Sequence, residues 1–368
     1  MVTAAVLTSV GAPLEIRHDV EVEAPRTGEV LVRYRASGVC HTDLSVQQGT
    51  LVLNCPMVLG HEGAGVVEAV GEGVDDLRPG DHVVVSWVPQ CGRCWYCARG
   101  EGHLCENANA ALVTGGLLDG SHRFTSRGAP LYQMAASGTF SELAVVPAVG
   151  AVRIPDDVPF ALAALIGCGV LTGVGAALRT ADVQAGATVA VVGCGGVGLN
   201  VVQGARIRGA ERIIAVDLQP AKLALAEELG ATHLVHAGAS EAVARVRELT
   251  GERGVDVAFE AIGLPATIDA TIAMARRGGQ AVLVGIPGME VVVELPAFLG
   301  LVLAAKTVRG CWYGSSNTHT DVAHLVELHR GGQLHLEPLV SRTIGLGEVN
   351  QALAALAAGE VARTVIEH

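Results

Sequence analysis

Residues 189–198 read VAVVGCGGVG, and this stretch restricts the fold more than any other. A Val-rich run ends at Gly193, and Gly195 and Gly198 complete the pattern G-x-G-x-x-G. Alone the pattern is weak. Here it follows a strand and opens a helix-length segment, the context that a dinucleotide-binding turn requires. The first glycine makes the turn, the second lets backbone approach a pyrophosphate, and the third allows helix–strand packing. The helix N-terminus then faces the phosphates. Asp217 ends the next predicted strand, near the expected ~20 residues downstream. Its carboxylate suits a ribose with two free hydroxyls and repels a 2′-phosphate, which favours NAD over NADP.

From near Ala161 onward strands alternate with helix-length segments, the mark of βαβ units. The predicted strands are Ala187–Gly193, Arg212–Asp217, His233–His236, Val255–Glu260, Gln280–Gly285 and Lys306–Gly310, with Ala-rich helices such as Gln219–Leu229 between them. Six strands fit a complete doubly wound parallel sheet. The chain before Ala161 differs: short Val-rich strands such as Val30–Tyr34, Gly65–Val70 and His82–Ser86 are separated by Gly/Pro turns. This half reads as an irregular β domain, and the stretch Thr114–Gly138 reads as a long loop. The tail holds a helix, Glu348–Ala358, and a strand, Thr364–Glu367. A length of 368 residues fits two domains. Aromatics are only 3% of the chain, so the core is built from Val, Ala, Leu and Ile.

A net charge of −12 argues against nucleic acid or an anionic membrane surface as partner. Mean hydropathy is +0.43, which directs attention to the uncharged segments Val158–Leu178 and Val183–Ala205. Glycines punctuate both and Pro159 lies in the first, so both read as buried core. The opening MVTAAVLTSVG has no basic segment and reads as the first strand of a cytoplasmic protein.

Nine cysteines without a secretory signal read as thiols and metal ligands, not disulfides. Four of them form Cys91-x-x-Cys94-x-x-Cys97-x7-Cys105, close enough to surround one tetrahedral zinc with no open position. A ferredoxin-type cluster would have a shorter last spacing and a proline after the final cysteine, where this chain has Glu106. Three further segments carry ligand-type side chains: Cys40-His41-Thr42-Asp43, Gly60-His61-Glu62 and Gly167-Cys168-Gly169. Together they offer one imidazole and two thiolates, a zinc set that leaves a fourth position for substrate or water. Such a metal would polarise an alcohol oxygen.

With these motifs in this order, the chain resembles the zinc-dependent medium-chain alcohol dehydrogenases over essentially its whole length. Gly60-His61-Glu62-x2-Gly65-x5-Gly71, the four-cysteine loop, Gly167-Cys168-Gly169 and the dinucleotide turn carry the resemblance. It implies an α/β fold: a GroES-like β-rich catalytic domain, residues 1–169 and 313–368, interrupted by a Rossmann domain, residues 170–312. It implies two zinc ions per chain. Cys40, His61 and Cys168 would hold the catalytic ion, with Glu62 a transient ligand, and Cys91, Cys94, Cys97 and Cys105 the structural ion. Asp43 would orient His61, and Thr42 would take the substrate hydroxyl proton. Gly193, Gly195, Gly196, Val197 and Gly198 would form the cofactor turn. Thr172 would touch the nicotinamide and Lys222 the adenosine ribose beside Asp217. His41 and Arg363 would contact the pyrophosphate. Trp87 and Leu51 would line the substrate pocket.

The implied activity is reversible hydride transfer from a primary or secondary alcohol to NAD, giving an aldehyde or ketone. The alternative is a thiol-dependent formaldehyde dehydrogenase. Leu51 stands where glutathione-type members carry Asp, and the Cys-His-Thr-Asp segment is similar to the mycothiol type. Ser45 occupies the place where classical members have the His that ends the proton relay. The long Thr114–Gly138 stretch resembles the dimeric branch, so a homodimer is expected, with a tetramer the alternative.

Overall fold

The computed structural model describes residues 1–359 and 362–368. Contacts divide the chain into two compact units, one of Met1–Cys168 with Asn317–His368 and one of Gly169–Ser316.

In the second unit, six parallel strands lie in the spatial order His233–His236, Arg212–Asp217, Thr188–Val192, Val255–Glu260, Ala275–Leu283 and Thr307–Gly310. The third strand in sequence is therefore at one edge and the first is central. This order places a change of winding direction between Thr188–Val192 and Val255–Glu260, where such sheets bind ligands at the carboxyl ends of their strands. The central strands are near-continuous apolar runs because helices cover both faces. Ala190, Val192, Ile214, Val216, Val255 and Ala258 form one side of this core.

In the first unit, the strands Val2–Leu7, Glu15–Val22, Phe124–Ser126, Ala129–Gln133 and Met57–Val58 close into a small barrel. A second sheet runs Ala151–Arg153, His82–Val85, Glu62–Val70, Glu29–Val39, Arg363–Glu367 and Val340–Gly345, with Leu143–Pro147 also paired to Glu29–Val39. Alternating side chains of its long strand, Val30, Val32 and Tyr34, enter a core with Val67, Val83, Val85 and Val146. The register places Gly38 opposite Glu62 and Val39 opposite Thr364. Three strand ends thus meet where Cys40, Glu62 and Arg363 stand.

One sequence expectation changes. Thr114–Gly138 is not one loop: it carries the hairpin Phe124–Ser126 with Ala129–Gln133, which supplies two barrel strands. The hairpin is short and its second strand includes Pro130, so periodicity gave it little signal. Val183–Ala205 is largely buried core as expected, with the strand at Thr188–Val192, then the glycine turn and the helix Gly196–Ile207. The other apolar segment is helical from Phe160 to Thr180, with 78% of its most apolar window buried.

A buried ion pair anchors the hairpin. Arg123 is fully buried, and its Nε donates to Glu29 Oε2 at 2.9 Å while Nη2 reaches Oε1 of the same carboxylate. The Arg26 N–H donates to Glu29 Oε2 at 2.8 Å. Breaking such a pair strands a charge in the interior. Arg123→Ala is therefore expected to destabilise the protein by about 3–5 kcal/mol in denaturant unfolding. A loss below about 1 kcal/mol would mean that the pair behaves as a solvated one.

Candidate active site

The helix His41–Gln48 starts directly after the strand Glu29–Val39, so Cys40 is its N-cap. Asp43, three residues on, is wholly buried and bridges two segments. Its Oδ2 accepts from the Cys40 N–H at 2.9 Å, and its Oδ1 lies 3.0 Å from His61 Nδ1. With Nδ1–H donating to this carboxylate, Nε2 carries the free lone pair. His61 is 2% exposed, yet Nε2 has no hydrogen-bond partner. A buried, unpartnered imidazole nitrogen is costly unless it meets a ligand. Trp87 stands edge-on to the His61 ring, with centroids 6.4 Å apart.

Cys168 reaches the same place from a π-helical turn, Ile166–Val170. A Cβ on Gly167 would stand 2.6 Å from the Val85 carbonyl, so glycine there lets the turn press against the sheet. Ligand atoms of Cys40, His61, Glu62 and Cys168 all lie within 4.8 Å of one another, and all four residues are buried. Two thiols, an imidazole nitrogen and a carboxylate in that span fit a tetrahedral zinc.

Arg363 Nη1 lies 3.1 Å from Glu62 Oε1, and Arg363 as a whole is 5% exposed. A Cβ on Gly38 would stand 2.1 Å from Glu62 Oε2, so the opposite strand leaves room for this carboxylate only because Gly38 has no side chain. Burial pushes Glu62 up to about 7 despite Arg363. The Cys40 thiol is held well below its usual range, first by a hydrogen bond with Cys168, against burial, and with help from Arg363 and His61. A lowered thiol favours the thiolate that binds metal.

The other expected residues are placed as follows. Thr42 Oγ1 is 3.7 Å from Cys40 Sγ, while His41 is exposed on the first turn. Leu51 packs with Trp87 against one apolar cluster of this unit. Ser45 is half-buried on the same helix, and its carbonyl accepts from the Leu51 N–H at 3.1 Å.

The four-cysteine loop folds into a second cluster whose Sγ atoms lie within 4.8 Å of one another. Cys94 and Cys105 Sγ are 3.9 Å apart. That is far beyond a disulfide and near the ~3.8 Å between thiolates sharing a tetrahedral zinc at ~2.3 Å. The Cys94 and Cys97 N–H groups point at Cys91 and Cys94 Sγ at 3.4 and 3.5 Å. Burial raises the Cys94 thiol, but the N–H groups of Cys97 and Glu106 together with the Cys97 and Cys91 thiols bring it down to about 7.

In the second unit, the turn Gly193–Gly198 adopts the expected geometry. Gly193 has φ +93°, and a Cβ on Gly198 would stand 1.8 Å from the Gly193 carbonyl. Gly195 faces open space, and Gly196 and Val197 begin the helix Gly196–Ile207. Asp217 Oδ2 accepts from the Cys194 N–H at 2.8 Å and Oδ1 from the Gln219 N–H at 2.9 Å, so this carboxylate braces the turn itself. Lys222 is half-buried on the helix Pro220–Glu228. Thr172 is buried on Leu171–Gly175, a helix packed on the Val197 carbonyl through Gly173.

The comparisons agree with this architecture. Residues 26–156 match the family described as alcohol dehydrogenase GroES-like domain, and residues 196–328 match zinc-binding dehydrogenase. The NDMA-dependent alcohol dehydrogenase of Amycolatopsis methanolica is 42% identical, over 99% of this chain and 98% of that protein. The S-(hydroxymethyl)glutathione dehydrogenase of Synechocystis is 40% identical, over 99% of each. The crystal structure of benzyl alcohol dehydrogenase from Acinetobacter calcoaceticus superposes with a TM-score of 0.93 at 32% identity, over 100% of this chain and 99% of that one. The fold and the site together define an oxidoreductase. The chain belongs to the zinc-dependent medium-chain alcohol dehydrogenase family, acting on small molecules.

The neighbours of Asp43 give a direct test. Asp43→Asn keeps the shape but removes the charge that orients His61. It is expected to weaken metal retention by about 10- to 100-fold in chelator competition. Retention equal to wild type would remove Asp43 from the support of this site.

Proposed function

We propose that this protein catalyses reversible hydride transfer between a primary or secondary alcohol and NAD. The observation that carries the reading is the buried quartet of Cys40, His61, Glu62 and Cys168, with an unpartnered His61 Nε2 at its centre. Cys40, His61 and Cys168 would hold a zinc ion, and Glu62 would serve as a transient ligand during exchange. When bound, the metal supplies Lewis acidity to the substrate oxygen. Asp43 would fix the imidazole, Thr42 would take the substrate hydroxyl proton while passing its own on to solvent, and Trp87 and Leu51 would shape the pocket. Cys91, Cys94, Cys97 and Cys105 would hold a second, structural zinc.

The turn Gly193–Gly198, Asp217, Lys222 and Thr172 would bind the cofactor, with His41 and Arg363 reaching its pyrophosphate. Residues 1–169 and 313–368 would be the catalytic domain and 170–312 the Rossmann domain. Free thiols throughout the chain fit a reducing, cytoplasmic setting. Phe298, Leu299, Val302 and Leu303 are 52–71% exposed near the edge strand Thr307–Gly310, which supports a homodimer.

A thiol-dependent formaldehyde dehydrogenase is the second reading, favoured by the name of the Synechocystis relative. The test is a panel of alcohols and aldehydes with NAD or NDMA as acceptor, with and without glutathione or mycothiol. Turnover of free alcohols without thiol supports the first reading, and formaldehyde oxidation that requires a thiol supports the second.

Asp217→Gly should shift preference toward NADP. Because Asp217 also braces Cys194 and Gln219, kcat/KM with NAD should fall by about 10- to 100-fold. A wild type that already uses both cofactors equally would contradict the assignment.

Ser45 cannot titrate near neutral pH as a histidine does. Ser45→His is therefore expected to raise single-turnover hydride transfer more at neutral than at alkaline pH. An unchanged profile would leave Ser45 as a turn residue.

A further inference from the structure

Glu260 ends the central strand Val255–Glu260, beside the change in winding direction of the parallel sheet. It is register partner to Val192, the residue before the glycine turn, and to Leu283 on the other side. Its side chain is wholly buried. Oε1 accepts from the Ile262 N–H at 3.0 Å, the Gly263 N–H at 2.8 Å and Thr267 Oγ1 at 2.7 Å. Oε2 has no partner. A Cβ on Gly285 would stand 2.6 Å from Oε2, so this oxygen faces the backbone that ends the next strand. Among the described residues no cationic side chain pairs with Glu260. The turn that it holds lies against the cofactor turn: a Cβ on Gly193 would stand 2.5 Å from the Ile262 side chain.

A stability role accounts for Oε1, which ties the turn 261–263 to the helix Pro265–Met274. It does not account for a second, bare carboxylate oxygen, which costs free energy when buried. Parallel sheets bind dinucleotides at this edge, and the oxidised nicotinamide ring is a cation whereas the reduced ring is neutral. We propose that Glu260 biases the cofactor site toward the oxidised, cationic nicotinamide dinucleotide. The inference rests on the reading of the second unit as an NAD site. Glu260 is a positioning and specificity-determining residue in this account. It fixes the turn through Oε1 and supplies field through Oε2.

The experiment measures Kd for NAD+ and for NADH by calorimetric titration of the metal-loaded full chain. Wild type is compared with Glu260→Gln, Glu260→Ala and Thr267→Val. Both neutral variants should weaken NAD+ relative to NADH by about three- to tenfold, the scale of one charge acting across a partly polar interior. Thr267→Val removes a donor to Oε1 but keeps the carboxylate, so it should leave the ratio at its wild-type value. A purely structural role would shift both affinities together in all three variants, and that result would overturn the proposal. So would a ratio that stays within about twofold of wild type in Glu260→Gln and Glu260→Ala. A wild type that binds neither form would instead overturn the cofactor reading beneath it.

Discussion

The buried cluster of Cys40, His61, Glu62 and Cys168 depends on one carboxylate. Asp43 accepts from the Cys40 backbone with one oxygen and faces His61 Nδ1 with the other. These two contacts couple a helix start to a strand start, in segments 18 residues apart. They also decide chemistry, because a proton held on Nδ1 leaves Nε2 as the ligand atom. The strands then bring Glu62 and Arg363 beside it through the pairings of Gly38 with Glu62 and Val39 with Thr364. Without the rigid sheet, four ionisable groups in so small a volume would drift apart or exchange protons. With it, the Cys40 thiol is lowered by neighbours that burial alone would oppose.

Much of this was legible from spacing. The glycine turn predicted its own geometry, since G-x-G-x-x-G encodes both the positive φ at Gly193 and the close approach at Gly198. The four cysteines announced a metal cluster because only short loops separate them. The buried quartet was harder to see, as Cys40, His61 and Cys168 are far apart in sequence and each is ordinary alone. Their grouping comes from resemblance, and the structure brings their ligand atoms within 4.8 Å of one another.

What escaped the sequence was the pairing of buried charges. Nothing near Arg123 marks it as a partner of Glu29, 94 residues away, and its hairpin was read as loop. Arg363 was assigned to the cofactor, whereas its nearest carboxylate is Glu62. Asp217 was read as a ribose ligand only, yet both of its oxygens brace backbone N–H groups. The pairings of Arg123 with Glu29 and of Arg363 with Glu62 are long-range contacts formed by the tertiary fold, and local periodicity carries no record of them.

Two clusters are proposed to hold metal with different duties, one closed by four thiolates and one open to substrate. Elemental analysis of purified wild type, Cys94→Ser and Cys40→Ser tests it most directly. Two zinc ions per wild-type chain are expected. Cys40→Ser should lose one of them and all turnover while keeping most of the fold, and Cys94→Ser should lose stability and soluble yield. Iron in place of zinc, or a single metal per wild-type chain, would contradict the account.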